Sequence, residues 1–152
     1  MQLDRTRFSL DTVRAFLSQN ASDPLIENLL VQHLLVAFYS EVEDVLAKIM
    51  RARLASATDP KLASFIASTN EAMIRRVKKS EINDIIRKFG CDEEDCVGDE
   101  LEGLKLQPYF DAIANRHSVA HGTGCDMTLD EFERAIPCAE KIFIAVEKAI
   151  AA

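Results

Sequence analysis

The sequence predicts an all-α protein, an up-and-down bundle of four to six helices. The 152 residues include only four prolines and five glycines, which leaves room for long helices. Apolar residues recur at helical spacing, and no stretch alternates as a half-buried strand would. The chain is 48% hydrophobic and 28% charged, an ordinary globular composition. Its length suits one helical domain over residues 1–152.

The first half of the chain contains three predicted helices. A short amphipathic helix over 9–20 places Val13, Phe16 and Leu17 on one face. "SDP" (22–24) and "TDP" (58–60) are start signals, since aspartate caps a helix and proline suits its first turn. They begin helices over 24–57 and 60–77. The second of these is expected to bury Leu62, Phe65, Ile66, Met73 and Ile74.

The helix over 24–57 has an unusual apolar segment. Between residues 29 and 39 it is apolar nearly all round, so it is predicted to lie centrally in the bundle or to be shared with a second subunit. His33 lies in this segment and is expected to be a core or interface histidine rather than a catalytic one.

Three further helices are predicted in the second half. Ser80 caps a helix that Gly90 stops. Another begins at Pro108 and ends at Gly122. "TLDE" (128–131) fits a capping box and starts the last helix, which is expected to kink or break near Pro137.

The charge pattern limits the partners. A net charge of −7 argues against indiscriminate nucleic-acid binding. The charge is uneven, however, because 75–88 is basic and 91–103 is acidic. If the protein binds RNA, the basic run is the expected strand-tracking surface.

The sequence predicts a cytoplasmic protein without a membrane partner. The N-terminus has no apolar core of signal-peptide type, and the apolar run 29–39 is too short to cross a bilayer. The four cysteines are therefore expected to be reduced: Cys91, Cys96, Cys125 and Cys138. Cys138 is expected to fill the core.

The stretch "NRHSVAHGTG" (115–124) contains the candidate catalytic residues. Imidazole exchanges protons near neutral pH, and guanidinium donates two parallel hydrogen bonds to phosphate oxygens. Such a pair is a minimal apparatus for cleaving a phosphodiester without a metal. Arg116 and His121 lie about 140° apart around an ideal helix, whereas His117 and His121 share a face.

These residues resemble the signature of the HEPN superfamily (higher eukaryotes and prokaryotes nucleotide-binding domains), in its RiboL-PSP-associated branch. "RHSVAH" places four residues between Arg and His, and "AHG" follows late in a short helix. "SEVEDVLAKIM" (40–50) also resembles that family's central helix. The predicted arrangement of helices resembles the family over most of the chain, whereas the sequence motif matches over only about ten residues. The branch ending in His-x-Tyr is not matched, since Thr123 occupies the last place.

The resemblance implies a HEPN-like bundle that dimerises, with the two motifs facing each other. It implies a metal-independent endoribonuclease, a hydrolase of toxin–antitoxin or defence systems, that needs no cofactor. RNA is then the substrate, a second copy is the partner, and an antitoxin protein is a further one. Arg116 and His121 match the two motif positions. The residues expected to position the substrate are Asn115, His117, Ser118 and Tyr109.

The residues of this stretch also fit roles other than RNA cleavage. Arg116 and His121 also suit a helix-end salt bridge and cap without chemistry. His117, His121 and Cys125 have the spacing of a metal site, although no glutamate lies between the histidines. A non-catalytic helical dimer that binds a protein or a nucleotide through the same cleft is the rival function.

Overall fold

The computed structural model describes residues 1–20, 23–69, 77–90 and 106–151. These residues form six α-helices and no β-strand, which confirms the all-α prediction. The helices are α1 (Asp4–Gln19), α2 (Pro24–Ala55), α3 (Pro60–Thr69), α4 (Lys79–Lys88), α5 (Gln107–Ala120) and α6 (Leu129–Ala151). The predictions for the acidic run 91–103, for Cys91 and Cys96, and for Met73 and Ile74 fall outside the described residues.

The chain divides into two compact units. The motif unit comprises Gln2–Glu41 and Lys105–Glu140, and therefore contains the stretch 115–124. The second unit comprises Met1, Val42–Leu104 and Lys141–Ala152. Helices α2 and α6 contribute to both. The single domain expected from length stays a prediction.

A buried carboxylate caps helix α1 from another helix. Glu41 of α2 is only 6% exposed and accepts hydrogen bonds from the backbone N–H groups of Arg5 (3.0 Å) and Thr6 (2.7 Å). It also accepts one from the Thr6 hydroxyl at 2.7 Å. These bonds satisfy donors that the first turn of a helix leaves unpaired, and the negative charge suits the helix N-terminus.

The predicted start and face of this first helix were therefore partly wrong. Helix α1 begins at Asp4 rather than at residue 9, because its cap comes from a residue 35 positions away. Its buried face is Thr6, Leu10 and Val13, while Phe16 is 46% exposed.

Local start and stop signals are confirmed elsewhere. Asp23 Oδ1 accepts the N–H of Leu25 at 2.9 Å, and Asp59 Oδ1 accepts the N–H of Lys61 at 2.9 Å. Thr128 and Glu131 form the predicted capping box of α6. The Ser80 cap was wrong, because α4 begins one residue earlier and the Glu81 carboxylate accepts the N–H of Lys78 at 3.2 Å.

Aromatic rings join three helices of the motif unit. Phe38 of α2 packs edge-on against Tyr109 of α5, with centroids 6.1 Å apart, and against Phe132 of α6 at 5.7 Å. All three side chains are fully buried. This contact fixes which residues of α2 and α5 face each other.

The second unit has an aliphatic core. Its buried residues include Leu46, Ile49, Ile85, Ile86, Phe143 and Val146. The last turn of α6 is held by the Arg53 guanidinium, whose Nε donates to the Ile150 carbonyl at 2.6 Å.

The predicted burial of α3 was wrong for its described residues. Leu62, Phe65 and Ile66 are 53%, 64% and 36% exposed, whereas Ala63 is buried. Helix α3 therefore packs through the face that carries Ala63. The periodicity of the large apolar residues predicted a different face.

A kink or a break was predicted near Pro137. Helix α6 continues through this residue, so the break does not occur, and the kink stays a prediction. Pro137 is exposed, while its neighbour Cys138 is buried, as expected of a core filler. In the described part of the chain, no helix combines the length and apolarity needed to cross a bilayer.

Replacing Glu41 is expected to destabilise the protein. Glu41→Ala leaves three donors of α1 without their acceptor, and the free energy of unfolding should fall by about 3 kcal/mol, since each unpaired buried donor costs roughly 1–3 kcal/mol. Urea unfolding followed by circular dichroism measures the change. The control is Glu147→Ala on an exposed face of α6, expected within about 0.5 kcal/mol of the parent. An equal loss in both variants would contradict the capping role.

The capping box of α6 should make stability depend on pH. The pKa of Glu131 is lowered because its carboxylate accepts hydrogen bonds from the backbone N–H and the hydroxyl of Thr128. A lowered pKa in the folded state stabilises the protein above the unfolded-state pKa, and this stabilisation is lost as pH falls through the folded value. The Tm difference between the parent and Glu131→Gln should therefore shrink below about pH 4. A difference that stays constant down to pH 2 would refute this.

Candidate functional site

The stretch 115–124 ends helix α5 with a glycine in the left-handed conformation. Gly122 has φ +72°. Its N–H donates to the Val119 carbonyl at 3.1 Å, and the N–H of Thr123 donates to the Ser118 carbonyl at 3.0 Å. This pair of bonds is the Schellman motif, so the predicted stop is confirmed. His121 is the C-cap residue, and its side chain is exposed.

The guanidinium of Arg116 packs against the ring of Tyr39. Its Cζ is 4.0 Å from the centroid of the Tyr39 ring on α2. This is a cation–π contact, which holds the planar guanidinium without neutralising its charge. Among the described residues, no acceptor lies within hydrogen-bond distance of its buried Nε.

The other described arginines of the motif unit show how unusual Arg116 is. Arg5, Arg7 and Arg14 form ion pairs with Glu41, Glu140 and Glu133. Among the described arginines of the motif unit, Arg116 and the exposed Arg134 have no carboxylate at ion-pairing distance. The salt-bridge reading of Arg116 therefore finds no support in these residues.

The two histidines of the motif lie side by side. The centroids of the His117 and His121 rings are 4.3 Å apart, at an interplanar angle of 64°. The i,i+4 spacing predicted that they share a face, and the structure shows that both side chains are exposed. Arg116 thus contacts α2 while the imidazoles face outward, so the angular separation expected from the spacing is retained.

Asn115 and Ser118 have structural partners. Asn115 donates through Nδ2 to the Asp111 carbonyl (3.0 Å) and accepts the N–H of Asp126 at its Oδ1 (3.1 Å). It thereby fastens α5 to the segment before α6. The Ser118 hydroxyl donates to the Ala114 carbonyl at 3.4 Å.

Beside Asn115 lies a cavity of about 310 Å³. Three carboxylates, those of Asp111, Asp126 and Glu131, line it together with the Arg134 guanidinium. The net charge of this lining is negative, which disfavours a phosphate there. Arg116 and His121 are not among the residues that line this cavity.

The prediction that Tyr109 lines the site was wrong, because Tyr109 is fully buried against Phe38 and Phe110. His33 was expected to be a core or interface histidine; it is exposed on α2, which contradicts the core alternative, and the interface alternative stays a prediction. Tyr39 was missed. It follows a buried phenylalanine on a helix, and only the packing of α2 against α5 reveals that it lies under Arg116.

The three-ligand metal site is not formed. Cys125 is buried, and its Sγ lies 3.9 Å from the Met127 carbonyl oxygen. Burial raises the pKa of this thiol, which disfavours the thiolate that a metal requires. Among the described residues, no three His, Cys, Asp or Glu side chains are grouped to hold a metal ion.

Replacing Gly122 is expected to weaken the end of α5. An added Cβ would meet nothing within 4 Å, so the cost of Gly122→Ala comes from the backbone alone. That cost is roughly 1–2 kcal/mol for a left-handed L-residue. Gly122→Asn should cost less, since asparagine tolerates this conformation. Urea unfolding ranks the three proteins, and an alanine variant as stable as the parent would rule out the motif.

Comparison of the chain with protein-family models, with curated proteins and with solved structures finds no match.

Proposed function

We propose that this chain is a metal-independent endoribonuclease of HEPN type, in which Arg116 binds the scissile phosphate and His121 transfers a proton. The observation that carries the proposal is the Arg116 guanidinium, which stacks on Tyr39 without a carboxylate partner and lies five residues before an exposed imidazole. A guanidinium that has no carboxylate partner is suited to an anionic ligand.

The proposed reaction is an intramolecular transesterification. The ribose 2′-oxygen attacks phosphorus as its proton passes to the imidazole, and the bond to the 5′-oxygen breaks as the imidazolium so formed gives the proton to that oxygen. The products are a 2′,3′-cyclic phosphate and a free 5′-hydroxyl. Arg116 stabilises the charge on the pentacovalent transition state. His117 is proposed to orient His121, with which it is in ring contact.

Two copies of the chain are proposed to complete the site. Leu25, Leu29 and Val36 are 66%, 54% and 49% exposed, and they follow one face of α2 in the motif unit. We call these three residues the α2 stripe. Burying such a stripe against a second copy is favourable by about 25 cal/mol per Å² of apolar surface. Arg116 contacts the same helix at Tyr39, so an interface along α2 brings the two motifs towards each other.

The charge of the motif unit favours a second candidate, a non-catalytic protein-binding module. Acidic side chains outnumber basic ones among its described residues. This balance repels a long polyanion and, together with the α2 stripe, suits a protein partner such as an antitoxin. In that case Arg116→Ala would weaken binding of the partner and no RNA would be cleaved.

The nuclease assay is direct. Purified protein is incubated with single-stranded RNA in EDTA, and the 3′ ends are analysed for the cyclic phosphate. Arg116→Ala and His121→Ala should each lower the rate at least 100-fold, in line with the loss of one electrostatic or acid–base group. Arg134→Ala, which removes another unpaired arginine of the motif unit, is the matched control and should retain the parental rate. Equal cleavage by all four proteins would assign the activity to a contaminant.

The dimer has its own test. Leu29→Asp or Val36→Asp should convert a dimer into a monomer in sedimentation velocity, because each buries a charge in the proposed interface. Phe65→Asp alters an equally exposed apolar residue of α3 and should leave the dimer intact. A parent that sediments as a monomer at all concentrations would exclude the composite site.

A further inference from the structure

The pair of exposed imidazoles on α5 has a geometry that the nuclease proposal does not use. His117 and His121 lie one helical turn apart, and the backbone N–H of His121 donates to the His117 carbonyl at 3.1 Å, which fixes their spacing. Their ring centroids are already 4.3 Å apart. Two imidazole nitrogens bound to one tetrahedral zinc ion at about 2.1 Å each lie about 3.4 Å apart. Rotation about the side-chain bonds of the two residues is expected to bring one nitrogen of each ring to this separation.

Both rings are free to make these rotations. The two side chains are exposed, and neither imidazole hydrogen-bonds to another described residue. Coordination therefore breaks no protein contact apart from the ring–ring one.

We propose that His117 and His121 chelate a divalent transition-metal ion of the class that imidazole prefers, such as Zn²⁺. No third side chain joins them among the described residues. Water completes the coordination, and the site binds more weakly than a structural site with four protein ligands.

Metal binding would regulate the proposed nuclease. A coordinated His121 nitrogen has no lone pair with which to accept the proton of a 2′-hydroxyl. The ion thus acts as an inhibitor at a site whose chemistry needs no metal. This regulatory consequence rests on the proposed function, whereas the chelate itself does not.

Isothermal titration calorimetry with NiCl₂ tests the chelate. Ni²⁺ is the probe because imidazole suits it and because zinc would also bind the cysteine thiolates of the reduced chain. The parent should bind one Ni²⁺ per chain. His117→Ala and His121→Ala should each weaken binding at least tenfold, since each leaves a single ligand. His33→Ala removes the other exposed histidine and should bind as the parent does.

The results separate the two proposals. A parent that binds no Ni²⁺, or single variants that bind as tightly as the parent, would overturn the chelate even if RNA is cleaved. Binding that requires both histidines supports it even if no RNA is cleaved. Where the parent cleaves RNA, Ni²⁺ should inhibit cleavage and EDTA should restore it. Any residual cleavage by His117→Ala should be at least tenfold less sensitive to Ni²⁺.

Discussion

The contact of Phe38 with Tyr109 and Phe132 determines the geometry of the candidate site. It buries three aromatic rings from three helices of the motif unit and sets the register of α2 against α5. Tyr39 follows Phe38 directly and is therefore turned to the flank of α2. Arg116 lies seven residues after Tyr109, two turns further along the same face of α5. The guanidinium consequently meets the Tyr39 ring, and its position depends on the core rather than on a carboxylate.

Helix ends that are set by residues within the same helical turn were predictable from the sequence. Asp23, Asp59 and the Thr128–Glu131 box act within one helical turn, and Gly122 needs only its own backbone. Features with distant causes were not predictable. The start of α1 depends on a carboxylate of α2, and the burial of Tyr109 depends on α2 and α6. The shared face of His117 and His121 followed from their spacing, whereas their exposure and the contact of Tyr39 with Arg116 depend on the tertiary packing.

The surroundings of Arg116 suggest how an acidic unit could bind a phosphate. Three other arginines of the motif unit are occupied by carboxylates, and the cavity beside Asn115 is acidic. Long-range attraction of a polyanion is therefore weak, and the affinity would come from short-range contacts with one phosphate. Such a site makes few phosphate contacts, each contributing only about −0.7 to the slope of log affinity against log salt for a single strand. An RNA presented by its own structure or by a second protein fits this pattern better than an extended strand.

The two proposals differ in how many copies of the chain each site needs. Arg116 is held against α2 by Tyr39, while His121 faces outward beside His117. One α5 helix therefore holds its cation against α2 and exposes its proton carrier, and in the proposed composite site a second copy supplies one of the two groups to the phosphate. The metal chelate needs no second copy, because both imidazoles come from one turn of one helix. Cleavage should thus be lost together with the dimer, whereas Ni²⁺ binding should persist in the monomeric Leu29→Asp variant, and this difference separates a composite site from a local one.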